Sequence, residues 1–258
     1  MPQSLTFHAP SLALLATEPL RAVLELCCVH LGQPELVQGD GHPVIVYPGL
    51  GAGSMTTAPL RAHLRACGFN VYDWELGVNT GPDGQFDDWL AALVERVREV
   101  HARHRRKVSL VGWSLGGVYA REIAKRCPEC VRQVVTLATP HKAIDANHAG
   151  TLYRLLGGNL SQLTPALLSR LGRRPPVPVT SIYSESDGVV SWRGCLEAPA
   201  RDAENVAVQA SHLGMPSHPD VLGIVAERLA QPEGQWRPHA RRRRVLRPRT
   251  TGSSRSRT

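Results

Sequence analysis

The 258-residue chain is without any run of 18 or more consecutive apolar residues, the length a membrane-spanning helix requires, so no span is expected. Its first basic residue, Arg21, lies beyond the apolar Leu12 to Ala16, and Pro19 interrupts that stretch, which is not the order of a secretory signal. The expectation is a soluble, cytoplasmic protein. Cysteine is sparse: the six are scattered rather than spaced as a small disulfide framework. Cys127-Pro-Glu-Cys130 is the one pair at redox spacing, but it follows a helix instead of opening one, and the second pair that a zinc site would need is missing. No His, Cys and carboxylate cluster has metal-ligand spacing, so no metal and no cofactor are expected. The last stretch, Arg237 to Thr258, contains nine arginines and neither an acidic nor an aromatic residue. Without those nine, 21 basic residues face 22 acidic ones, so the formal charge of +8 belongs to the tail and the body is close to neutral. A tail this polar cannot bury a core and is expected to be disordered. Lacking aromatics for base stacking, it is not expected to bind nucleic acid specifically. A solvated appendage is favoured over weak contact with an anionic surface.

What is present is a size and apolar content, 42%, suited to one α/β domain with a substantial core. Pro43 to Tyr47, Asn70 to Trp74, Val131 to Leu137, Val177 to Tyr183 and Asn205 to Ala210 read as strands, with another strand running up to Trp113. Between them, Thr57 to Gly68, Phe86 to His104 and Val221 to Leu229 carry apolar residues at helical spacing, as does the segment after Ser114. Residues 11 to 31 also have helical spacing, at Leu12, Leu15, Leu20, Leu24, Cys27 and Leu31. Helices broken near Pro19 and packed on the core are predicted there. Strands alternating with helices argue for a mostly parallel sheet with helices on both faces, and such sheets bind ligands beyond the carboxyl ends of their strands.

The organising stretch is Gly112-Trp-Ser-Leu-Gly-Gly117, placed between an apolar strand and a helix. In that setting Gly-x-Ser-x-Gly is a nucleophile elbow: Ser114 sits on a sharp turn, and Gly112 and Gly116 must be small where the chain doubles back. A serine hydroxyl is a weak nucleophile. It needs a base to take its proton and a carboxylate to orient that base. The strand ends supply them in order: Asp187 in Ser186-Asp-Gly-Val-Val190, and His212 in Ser211-His-Leu-Gly214. Glu185 is the rival acid. His218 reads as a lead-in to the last helix, and His141, just after the fourth strand, is a candidate to line the pocket. The oxyanion of a tetrahedral intermediate needs preorganised N–H donors, expected from the backbone of Leu115 and of Leu50 in Gly49-Leu-Gly51. That glycine turn lacks the Gly-Lys-Ser/Thr ending of a nucleotide loop.

Pro48-Gly-Leu-Gly, Gly112-Trp-Ser-Leu-Gly-Gly117, Leu137-Ala-Thr-Pro-His141, Ser186-Asp-Gly-Val-Val190 and Ser211-His-Leu-Gly214 together resemble the α/β-hydrolase superfamily. Within it the likeness is to the bacterial lipase and esterase-like group related to serine hydrolases that deacylate lipid anchors, over about residues 40 to 236. The resemblance implies Ser114 as nucleophile, Asp187 as acid, His212 as base, and Leu50 and Leu115 at the oxyanion hole. Two departures are visible. Pro48 stands where many members have His, and no antiparallel hairpin precedes the first strand, so a shortened sheet of six strands is expected. Residues 142 to 176 occupy the superfamily's cap position, with amphipathic segments at Thr151 to Leu156 and Pro165 to Leu171. They read either as a small helical cap over a greasy substrate or as mere cover for the sheet. The expected organisation is an N-terminal helical segment (1–39), the hydrolase domain (40–236) and the basic tail (237–258). The expected activity is hydrolysis of a carboxylic ester of an apolar acyl or lipid substrate through an acyl-enzyme. The alternatives are an acyltransferase with the same three residues and a non-catalytic lipid-binding or interaction module. Oligomeric state is not readable.

Overall fold

Pro43–Tyr47 (β1), Val108–Trp113 (β3) and Val131–Leu137 (β4) are mostly apolar and buried along their whole length, as suits strands in the middle of a two-sided sheet. In the computed structural model, which describes residues 9–31, 36–142 and 164–239 (28–31 by main chain only), they lie at the centre of one six-stranded sheet. Asn70–Asp73 (β2) and Ala203–Val208 (β6), each partly exposed, form its edges, and Val179–Ser184 (β5) completes it. The order is β2-β1-β3-β4-β5-β6 and every pairing is parallel. Chain order reverses between β1 and β3, which opens a crevice at their carboxyl ends.

Alternate side chains of the strands feed two cores. On one face Val44, Val46, Val111, Val135 and Ile182 pack under helices Ala58–Ala66 (α2) and Pro219–Leu229, through Leu60, Leu64, Val221, Leu222 and Val225. On the other, Ile45, Leu110, Val134 and Val179 pack under Phe86–His104 (α3) and Leu115–Arg126 (α4), through Leu90, Val97, Ala120 and Ile123. Within the 142–176 insertion, residues 143–163 lie outside the described residues, and with them the Thr151 to Leu156 segment. The later segment is a helix, Pro165–Gly172 (α5), so the last helix of the domain, Pro219–Leu229, is α6.

The N-terminal segment departs from expectation twice. It is one helix, Leu12–Leu31 (α1), with Pro19 inside it. An interior proline costs about 3 kcal/mol, but α1 is tied down on both sides of it, by Glu18 and Arg21 and, further on, by Glu25. Nor does its apolar stripe face the core. Leu12, Leu20, Val23 and Leu24 are exposed, whereas Glu18 is buried at 1% exposure. The strands predicted at Val177 to Tyr183 and Asn205 to Ala210 are displaced by one or two residues. Pro178, without an N–H, precedes β5, and the chain leaves the sheet after Val208 toward His212.

Candidate active site

Beyond β3 the chain turns sharply into α4, and Ser114 at the turn has φ 53° and ψ −120°, a conformation side chains other than glycine seldom adopt. Its N–H donates to Leu137 O at 2.8 Å, so the strained residue is still held to the sheet. The glycines around it have no room to be anything else. A Cβ on Gly112 would strike the backbone of Gly116 and Gly117, one on Gly116 the carbonyls of Tyr47 and Pro48, and one on Gly117 the side chain of Thr139. The start of α4 is thereby pressed against the turn after β1.

The loops after β5 and β6 bring the partners in. Ser114 Oγ and His212 Nε2 are 3.1 Å apart, and His212 Nδ1 lies 2.7 Å from Asp187 Oδ2. The other carboxylate oxygen of Asp187 accepts the N–H groups of Val189 and Val190, both at 2.8 Å, which fixes its plane. All three residues are buried, with 7% of Ser114, 4% of His212 and 3% of Asp187 exposed. Burial alone would lower the basicity of His212. The charge and hydrogen bond of Asp187, helped by the charge of Glu18, outweigh it, and the imidazole pKa is raised above its ordinary value.

The turn after β1 lies against Ser114: a Cβ on Gly49 would sit 3.3 Å from Ser114 Cβ. Among the described loop and turn hydrogen bonds, neither the Leu50 nor the Leu115 N–H has a protein acceptor. Two residues not singled out in the sequence hold this region. Asn79, fully buried in the loop before α3, donates from Nδ2 to Pro48 O at 2.8 Å, and its main chain exchanges hydrogen bonds with Gly51 and Ala52. Trp113 Nε1 donates to His212 O at 3.0 Å. The only signal for Asn79 was its place in a loop rich in Gly, Asn and Pro, and Trp113 had the motif position just before the serine.

The other candidates go elsewhere. Glu185 is exposed, and His218 caps α6 by accepting the N–H of Asp220 at 3.2 Å. His141 is buried and faces the interior, with Nε2 3.7 Å from Glu197, itself ion-paired with buried Arg121. The described part of the insertion packs on helices: Arg170 on α5 binds both carboxylate oxygens of Asp87, at 2.6 and 3.0 Å, and approaches Glu122 at 3.2 Å. Cys127 and Cys130 are buried free thiols, and burial pushes the Cys127 pKa up to about 12, the opposite of a reactive thiol. Among the described residues no group of three or more His, Cys, Asp and Glu is placed to hold a metal ion, and no helix is long and apolar enough to cross a membrane.

A six-stranded parallel sheet with a serine elbow after its third strand is the α/β-hydrolase fold. Residues 43–169 match the palmitoyl protein thioesterase family model. The chain is 32% identical to a pimeloyl-[acyl-carrier protein] methyl ester esterase of Shewanella woodyi, over 39% of this chain and 37% of that protein. It is 29% identical to the serine hydrolase BPHL of Mus musculus, over 50% and 46%. These matches span half the length of the relatives or less. A third relative, the pimeloyl-[acyl-carrier protein] methyl ester esterase of Aliivibrio salmonicida, is 23% identical over 77% of this chain and 96% of its own length. Among solved structures, the mature lipase BlEst2 of Bacillus licheniformis superposes with a TM-score of 0.57 at 18% identity, covering 77% of this chain and 95% of that one. Lipase B of Aspergillus fumigatus gives 0.60 at 15% identity, over 77% and 55%.

Proposed function

We propose that the protein is a serine hydrolase that cleaves carboxylic esters of apolar acyl groups through an acyl-enzyme, with Ser114, His212 and Asp187 as its triad. The reading is carried by the continuous line from Ser114 Oγ through the imidazole to the Asp187 carboxylate. Neutral His212, its Nδ1–H donated to Asp187, accepts the Oγ proton at Nε2 as Oγ attacks the acyl carbonyl. The imidazolium so formed is stabilised by Asp187, and the carbonyl oxygen, now an oxyanion, receives the N–H groups of Leu115 and Leu50. Collapse expels the alcohol with the proton from Nε2 and leaves the acyl group on Ser114. Water repeats the sequence and releases the acid. Each backbone donor of this kind contributes about 10²–10³ in turnover.

Two of the relatives are methyl ester esterases, and their names support an acyl ester substrate. The thioesterase family model supports a second reading, in which the acyl group is carried on sulfur. A fluorophosphonate probe is expected to label Ser114 in the wild type and to leave Ser114→Ala unlabelled, and an unlabelled but folded wild type would overturn the enzyme reading in favour of a binding module. Comparing the oxygen ester and thioester of one acyl chain, and acid release against ester formation with added alcohol, then separates esterase, thioesterase and acyltransferase.

A further inference from the structure

Helix α1 supplies none of the reacting groups, yet it reaches both loops that do. Asp187 lies between Ser186 and Gly188, and His212 between Ser211 and Leu213, and α1 side chains hold all four of these neighbours. Arg21 Nη1 donates to Ser186 O at 2.9 Å, and the Gly188 N–H donates to Glu18 Oε1 at 2.7 Å. On the histidine loop, the Leu213 N–H donates to Glu18 Oε2 at 3.0 Å, and Ser211 donates from its N–H and its hydroxyl to the two oxygens of Glu25, at 2.7 and 2.6 Å. One buried carboxylate, Glu18, therefore joins the acid loop to the base loop, while Arg21 Nη2 donates to its Oε1 at 2.7 Å. The fit leaves no slack. A Cβ on Gly188 would strike the main chain of Leu14 and Leu15, and one on Gly214 the carboxylate of Glu25. A helix that leaves most of its large apolar side chains exposed and turns its carboxylates toward the domain is docked through its hydrogen bonds.

We propose that α1 is a positioning element for the ester hydrolysis inferred above, its Glu18 and Glu25 carboxylates fixing the backbone on either side of Asp187 and His212 so that the imidazole stays aligned between acid and nucleophile. The inference rests on that functional reading. The charged groups around the imidazole are Asp187 from the β5 loop and Glu18 from α1, with Glu25 on the adjacent Ser211 and Arg21 paired to Glu18. Glu18 thus also favours the protonated imidazole. An amide in its place keeps the shape, removes the charge and turns a donor toward a backbone donor.

The test is the pH dependence of 4-nitrophenyl butyrate hydrolysis by the full chain, wild type and variants, with thermal unfolding measured in parallel. Glu18→Gln and Glu25→Gln are expected to lower kcat about 10–100-fold with KM changed less than about threefold, the size of effect expected from sub-ångström misalignment. Glu18→Gln should also move the acid limb of kcat/KM to lower pH. Folded Gln variants with kcat within about twofold of wild type, or an activity loss matching the unfolded fraction with the acid limb unmoved, would overturn the proposal. Should a Gln variant not fold, Arg21→Met, at a partly exposed side chain, decides: a several-fold loss in kcat at constant KM is expected, and no change overturns it. A wild type that no fluorophosphonate labels would bring down the enzyme reading and this inference with it. A labelled wild type with unaffected variants removes the inference alone.

Discussion

Two serine, histidine and aspartate arrangements occupy opposite ends of this sheet, and their residues explain why we assign chemistry to one alone. At the amino ends of the strands, His42 Nδ1 lies 2.5 Å from Asp40 and Nε2 2.8 Å from the Ser109 hydroxyl, nearly the spacing seen at His212. Ser109 lies inside β3 and fully buried, with no elbow to present it, and His42 is sealed with it. Electrostatics separate the two as well. Burial of His42 is the largest influence, Arg132 and Arg106 add to it, Asp40 opposes it, and the pKa falls to about 4, whereas that of His212 is raised. The consequences for stability have opposite signs. His42, depressed in the folded state, contributes fully above its ordinary value of 6.5, and that contribution is lost as pH falls toward 4. The loss is about 3 kcal/mol over that range. His212, raised when folded, contributes below 6.5 and loses that contribution as pH rises through its folded value. Urea unfolding from pH 7 to 4 is expected to show the first decline, and His42→Gln, less stable at neutral pH, should show a shallower one.

Among the elements, the turn after β1 depends on a loop that belongs to another strand. Many members of the resembled superfamily place a histidine at position 48, and here Asn79 reaches across from the β2–α3 loop to hold the Pro48 carbonyl. Asn79→Ala removes that donor and the acceptor of the Gly81 N–H. A loss of about 1–3 kcal/mol in unfolding free energy is expected. Under the proposed mechanism, turnover should fall by about 10–100-fold with KM little altered, because the turn proposed to carry an oxyanion donor is loosened. Kinetics paired with denaturant titration check both. The first residues expected to belong to the basic tail are tied to the domain. Expected to begin at Arg237, the tail lies outside the described residues only from position 240. Arg237 exchanges hydrogen bonds with Gln231 at 2.7 and 3.0 Å, and the His239 N–H donates to Glu204 at 2.6 Å. Glu204 also pairs with the buried guanidinium of Arg228 at 2.9 Å. A chain ending at Trp236 is therefore expected to melt several degrees lower than one ending at His239, as thermal unfolding of the two would show.

For the whole molecule, local rules reached the parts whose causes are local. The central strands were legible as short, mostly apolar runs, and the elbow because glycine spacing and a flanking strand and helix are contiguous in sequence. The meeting of Asp187 and His212 with Ser114 could be anticipated because all three follow strand ends on one edge of the sheet. The inward turn of Glu18 could not, since its partners are backbone groups more than 160 residues away and its own helix carries an ordinary apolar pattern. Asn79 was hidden for the same reason, one asparagine among the polar residues of a loop. Those α1 contacts also order events in time. Segments 165 to 195 residues apart must meet before the imidazole has its final surroundings, and joining ends so distant carries a large loop-closure cost. During synthesis α1 leaves the ribosome long before the loops it grips have been made, and until then the backbone partners of its carboxylates do not exist. A nascent chain could thus assemble most of its sheet and still lack competence, which would arrive when the last strand is in place.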